Sequence, residues 1–113
     1  MASPLTTHVL DTASGLPAAN LTIQLFQQVR GDWHARGEFS TDTDGRVRNL
    51  LPEAGLTPGG WELRFSVGAY FANRGEPTFF DEVPVRFVVT EPGRHHHVPL
   101  LVSPFGYSTY RGS

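Results

Sequence analysis

Apolar residues along this chain recur with a period of two far more often than 3.6, and that spacing predicts strands. From 20 to 29, Leu21, Ile23 and Leu25 fall on one face and Thr22 and Gln24 on the other, the alternation of a half-buried strand. Trp61, Leu63, Phe65 and Val67 alternate with Glu62, Arg64 and Ser66 in the same way. Segments 83–89 and 95–102 are denser in β-branched and bulky side chains, which suits positions inside a sheet. Shorter strands are expected at 7–12, 33–39 and 47–50, and a last one around 106–112.

Turn-forming clusters separate these runs: Ser14-Gly15-Leu16-Pro17, Arg30-Gly31-Asp32, Asp42-Thr43-Asp44-Gly45, Thr57-Pro58-Gly59-Gly60, Glu91-Pro92-Gly93 and Ser103-Pro104-Phe105-Gly106. Strands spaced roughly 8–12 residues apart between turns describe an all-β sandwich or barrel. Segment 68–75 breaks the pattern and is expected to form a short helix or an irregular crossover. The last strand has no later segment to cover it, and an open edge tends to pair, most often in a two-fold dimer.

Composition narrows the picture. At 113 residues, with 39% hydrophobic and 18% charged, the chain suits one domain, 1–113, with its own core. A domain of this size buries only about 65% of the surface that its unfolded chain exposes, so association with other copies is expected to add to its stability. The lack of cysteine excludes disulfides, thiolate metal sites and a cysteine nucleophile. All nine basic residues are arginine, which excludes lysine Schiff-base chemistry, and their scatter along the chain offers no patch for nucleic acid. No run approaches the roughly 18 apolar residues of a membrane span and the first ten residues lack a basic leader. A soluble, cytoplasmic protein is the expectation.

Five histidines carry the candidate chemistry. In the run His95-His96-His97, strand alternation puts His95 and His97 on one face and His96 on the other. A zinc site needs three or four converging ligands, so the run supplies two at most; no metal site is expected, a metal-binding structural domain being the lesser alternative. Imidazole is also the side chain best matched to proton transfer near neutral pH. His8 and His97 lie inside apolar strands, so each is either buried against a partner or facing a pocket, whereas His34 and His96 read as surface or structural residues. Arg46, after Asp44-Gly45, reads by itself as a solvated turn charge, and Arg111 reads as blandly. A guanidinium fork nevertheless suits a flat substrate with paired carbonyl and imide groups. Ser113 has no G-x-S-x-G elbow around it, so a serine-hydrolase triad is not indicated. The residues alone lead to a β-sandwich with a candidate His/Arg site.

Two stretches carry a resemblance. His8-Val9-Leu10-Asp11-Thr12-Ala13-Ser14-Gly15-Leu16-Pro17-Ala18 and the run from His97 through Ser103-Pro104-Phe105-Gly106-Tyr107-Ser108-Thr109-Tyr110 to Arg111-Gly112-Ser113 are similar to the two signatures of the transthyretin family, and the likeness spans essentially the whole chain. The family has a thyroid-hormone carrier branch and an enzyme branch that hydrolyses 5-hydroxyisourate. Four positions resemble the enzyme branch: the Tyr110-Arg111-Gly112-Ser113 ending, His8 where the carrier has lysine, Arg46 after an Asp-Gly pair, and His97 where the carrier has threonine. His96 departs from the pattern, standing where tyrosine is common.

The resemblance implies a transthyretin-like sandwich of two four-stranded sheets with one short helix near 68–75. It implies a homotetramer, a dimer of dimers, with active sites at the dimer–dimer interface and no cofactor. The implied reaction opens the ring of a purine-derived small molecule, 5-hydroxyisourate, to 2-oxo-4-hydroxy-4-carboxy-5-ureidoimidazoline in urate breakdown. His8 and His97 would orient and deprotonate water, Arg46 would hold the substrate and the developing oxyanion, and the Tyr110, Arg111, Gly112 and Ser113 tail would close the pocket. Ser113 would assist through its hydroxyl or a carboxylate. The rival is a non-enzymatic carrier that binds an oily ligand without turnover, against which the polar His8, Arg46 and His97 argue.

Overall fold

The computed structural model describes residues 3–113; Met1 and Ala2, the first residues of the expected domain, lie outside them. Among the described residues the strands are β1 (Leu5–Asp11), β2 (Leu16–Pro17), β3 (Thr22–Val29), β4 (Asp32–Ser40), β5 (Arg46–Val47), β6 (Gly59–Phe65), β7 (Val83–Val89), β8 (His96–Ser103) and β9 (Gly106–Thr109), with one helix, α1 (Val67–Asn73). They form two sheets. One runs β2-β1-β8-β9, with β5 also bonded to β1, and the other runs β4-β3-β6-β7.

β1 and β8 are the parallel pair at the centre of the first sheet, in register from Leu5 opposite His96 to Asp11 opposite Val102. The outer flank of β1 is shared by two short pieces: β2 pairs with Leu10 and Asp11, and β5 pairs with Thr7 and His8. The expected strand at 47–50 is thus cut to a two-residue pairing whose main role is to hold Arg46 opposite His8. Alternation works as the periodicity implies, except at Glu62 of β6, which is buried on the polar face and paired with Arg64 and Arg86. Leu5 and Val9 of β1, Leu21, Ile23 and Leu25 before and along β3, and Leu63 and Phe65 of β6 are fully buried between the sheets, with Trp61 nearly so. Each large apolar side chain removed from water in this way contributes about 1.5–3 kcal/mol.

Segment 68–75 resolves into α1, which packs Val67, Gly68, Tyr70 and Phe71 inward. A buried polar link ties this helix to β1: the Tyr70 hydroxyl donates to Asp11 Oδ2 at 2.9 Å, while Asp11 Oδ1 accepts the main-chain N–H groups of Ala13 and Ser14. Burial, then the bond to Asp11 and its negative charge, push the Tyr70 phenol up to about 12.

One expectation is corrected. Segment 83–89, dense enough in bulky residues to suit a sheet interior, is instead an edge strand: β7 pairs with β6 alone and leaves Val88 71% exposed. Pro84, which has no N–H for a second ladder, is compatible with an edge and not with a centre. The 95–102 segment does take an interior place, as β8 between β1 and β9. The final strand, β9, ends at Thr109, and the chain then rejoins the sheet through an isolated bridge between Gly112 and His97.

Candidate active site

The even-numbered residues of β1 point away from the core, so Thr6 and His8 lie on the outer face of the first sheet, each only partly buried. His97 is the register partner of Thr6 on β8, and Arg46 is the partner of His8 on β5. Three strands from separate parts of the chain therefore bring two imidazoles and a guanidinium onto one patch.

The turn before Arg46 is built by its own sequence. Asp42 Oδ1 accepts the N–H groups of Asp44 at 2.9 Å and Arg46 at 3.0 Å, an Asx-type cap on the turn. Gly45 adopts φ +74, and a side chain there would also run into the Val9 carbonyl at 2.5 Å, so both conformation and space require glycine. The Arg46 N–H bond, opposed by desolvation and aided by the Asp44 N–H bond and the Arg48 and Arg46 charges, holds the Asp42 carboxyl below its ordinary range. Arg48 pairs with Asp42 at 2.7 Å and Asp44 at 3.5 Å. Among the described residues no carboxylate pairs with Arg46. Its guanidinium is held beside two histidines with its donors uncommitted to an anion.

A cavity of about 280 Å³ opens here, lined by Thr6, Thr7, Arg46, Arg48, His95, His97 and Ser113. Thr6 Oγ1 lies 2.9 Å from His95 Nε2 and 2.8 Å from His97 Nδ1, and the two rings stack with centroids 6.5 Å apart. Burial is the largest influence on His97 and pushes it below the ordinary 6.5; the nearby Arg46, His8 and His95 act in the same direction, against a hydrogen bond to the Thr6 main chain. The shift favours the neutral ring near pH 7, the form that accepts a proton. The Gly112 N–H donates to the His97 carbonyl at 2.8 Å, which draws the tail across the ring and sets Ser113 at the cavity.

Of the residues expected to form a site, Arg46, His97 and Ser113 come together on this cavity, with Gly112 packed over His97. His8 sits beside it as the partner of Arg46 and near enough to influence His97. Tyr110 and Arg111 line an adjoining cavity of about 220 Å³ between β7 and the β8–β9 side, which Val85, Phe87 and His96 also line and which shares His97 with the first. His96 is buried there and its Nδ1–H donates to the Arg94 carbonyl at 2.7 Å, a structural role, and His34 is exposed on β4. Among the described residues no three His, Cys, Asp or Glu side chains converge as metal ligands. Thr6 and Arg48 were not singled out by sequence; the available signal was parity, since each lies two residues from a site residue on the same strand face or turn.

The fold and cavity define a class: a transthyretin-type sandwich with a basic, histidine-containing site on the outer face of one sheet. The profile of the HIUase/Transthyretin family matches residues 5–112, and the chain belongs to that family. It is 50% identical over 117 residues to a 5-hydroxyisourate hydrolase of Mesorhizobium japonicum, covering 96% of this chain and 91% of that protein. Among solved structures it resembles Klebsiella pneumoniae 5-hydroxyisourate hydrolase, with a TM-score of 0.85 and 36% identity over 96% of this chain and 97% of that one. It also resembles sea bream transthyretin in complex with thyroxine, with a TM-score of 0.92 and 32% identity over 96% and 94% of the two chains.

Proposed function

We propose that the protein hydrolyses 5-hydroxyisourate, opening its ring to 2-oxo-4-hydroxy-4-carboxy-5-ureidoimidazoline. The observation that carries this reading is the convergence of His97 and an anion-free Arg46 on one cavity, in a chain whose relatives include hydrolases of that name.

In this reading His97, with His8 beside it, takes a proton from water as the water oxygen bonds to a ring carbonyl carbon. Negative charge gathers on the carbonyl oxygen, where Arg46 donates to it; a fixed donor at a developing oxyanion is typically worth about 10²–10³ in rate. As the tetrahedral adduct collapses, the ring C–N bond breaks and the imidazolium returns its proton to the departing nitrogen. One water is consumed, and the new carboxyl group then ionises. Ser113, at the cavity, is assigned to assist catalysis and the Tyr110–Gly112 tail to substrate binding, with Tyr110 and Arg111 acting from the adjoining cavity that His97 also lines.

We further assign the working unit as a homotetramer, a dimer of dimers. The support is the pair of open edges, β7 in one sheet and β9 in the other, with Val88 and Tyr107 exposed along them and Phe105 exposed in the turn before β9. Sedimentation at micromolar concentration reads this directly.

The decisive assay follows the ultraviolet decay of freshly generated 5-hydroxyisourate with and without the protein, with the spontaneous rate recorded alongside. Acceleration proportional to protein concentration is expected; a decay indistinguishable from the spontaneous one sinks the reading.

A further inference from the structure

The cluster at Thr6 determines where the protons lie. His95 Nδ1 is 3.1 Å from the Ser3 carbonyl oxygen. A carbonyl only accepts, so this nitrogen carries the hydrogen, and in the neutral ring Nε2 is the bare one. That bare Nε2 lies 2.9 Å from Thr6 Oγ1, so the threonine hydroxyl must donate to it. A hydroxyl has one proton. With it committed to His95, Thr6 Oγ1 can meet His97 Nδ1 at 2.8 Å only as an acceptor, and His97 Nδ1 must carry a hydrogen. The neutral His97 ring then has its lone pair on Nε2.

We propose that His95 is a positioning residue for the reaction, acting through Thr6 to fix the His97 tautomer that leaves Nε2 bare. The relay runs from the Ser3 carbonyl through His95 and Thr6 to His97, and all three side chains line the cavity. The proposal builds on the reading of His97 as the base. Without the relay the Thr6 hydroxyl is free to turn and donate to His97 Nδ1, which favours the opposite tautomer with its proton on Nε2, unable to accept one from water. A base held in the wrong tautomer keeps its place and loses its function, so kcat falls while substrate binding persists.

His95 is exposed, so its replacement leaves the core intact. The test compares the wild-type protein with His95→Leu, which removes the acceptor for the Thr6 hydroxyl, and His95→Gln, whose side-chain oxygen can take its place. Nitrogen-15 NMR of the His97 ring reports the tautomer without any activity, and kcat and KM are measured on the same samples. The wild type is expected with Nδ1 protonated and Nε2 bare. His95→Leu is expected to shift the tautomer ratio about fivefold, the worth of one net hydrogen bond, toward protonated Nε2. Its kcat should fall in proportion to the lost population with KM little changed, and His95→Gln should retain both tautomer and rate. A His97 ring with protonated Nε2 in the wild type, or one unmoved by His95→Leu, overturns the relay. A tautomer that shifts while kcat stays constant overturns instead the assignment of His97 as the base, and with it the positioning role.

Discussion

Gly112 lies so close to the His97 imidazole that a β-carbon at position 112 would come within 2.5 Å of the ring Cδ2 and 3.2 Å of Cγ. The glycine of the tail is therefore required by contact with the proposed base. Gly112→Ala must push the ring or the tail aside by several tenths of an ångström or more. Because a misplacement of about 1 Å can cost about 10² in rate, kcat/KM is expected to drop by one to two orders of magnitude with little change in Tm. Steady-state kinetics alongside thermal melting checks this, and an unchanged rate would show that the contact has no catalytic consequence.

His97→Asn removes the proton acceptor, and a general base commonly contributes about 10²–10⁴ in rate. Arg46→Glu puts a carboxylate where the oxyanion is expected, at a cost of at least about 10²–10³. Both variants should keep the wild-type circular dichroism spectrum, since neither side chain belongs to the core. Near-normal turnover of 5-hydroxyisourate by both would falsify the site.

Burial first, and then Arg46, His8 and His95, hold His97 below 6.5. The base form thus persists as pH falls through 6.5, and the acid limb of kcat/KM should lie below that value. Removing the guanidinium removes one repulsion against the imidazolium, so Arg46→Gln is expected to raise the His97 pKa. Proton NMR titration of the imidazole reads the shift even in an inactive variant, and a downward movement contradicts it.

Gly45→Ala tests the turn that presents Arg46. The added methyl meets the Val9 carbonyl and the backbone must leave φ +74, so the β5 pairing with β1 is expected to break. Loss of stability of about 1–3 kcal/mol together with a raised KM should appear in denaturant melts and kinetics. A stable variant with normal KM would remove the turn from the account of the site.

The helix is tied to β1 through Asp11. Asp11→Ala leaves the Tyr70 hydroxyl buried without its acceptor and frees the N–H groups of Ala13 and Ser14. A loss of about 2–4 kcal/mol is expected from urea unfolding, with Tyr70→Phe costing less because Asp11 keeps its two main-chain donors.

How much of this was legible beforehand differs from residue to residue. The alternation of Leu21, Ile23 and Leu25, or of Trp61, Leu63 and Phe65, is a local property of the chain and translated directly into buried faces. Segment 83–89 misled because bulky residues say that a strand packs on one side, not that both of its edges are paired. Parity alone placed His95 and His97 on one face. Parity also puts Thr6 on the face of His8, but it could not show that Thr6 meets the two imidazoles, because the link between β1 and β8 spans some ninety residues and depends on a parallel register that no local pattern specifies.

By itself the sequence determined the strand-rich class, the turn around Gly45, the lack of thiol and amine chemistry, the family signatures that hold His8, His97 and Ser113, and Arg46 after its Asp-Gly pair. Only the tertiary structure decided that Arg46 faces His8, that Gly112 folds back on His97 while Tyr110 and Arg111 line the adjoining cavity that shares His97, and that Thr6 stands between two imidazoles. The physical reason is range: side-chain alternation and turn chemistry act over a few residues, whereas the site is made by strand pairings between distant segments, whose register is set by burial of the whole core.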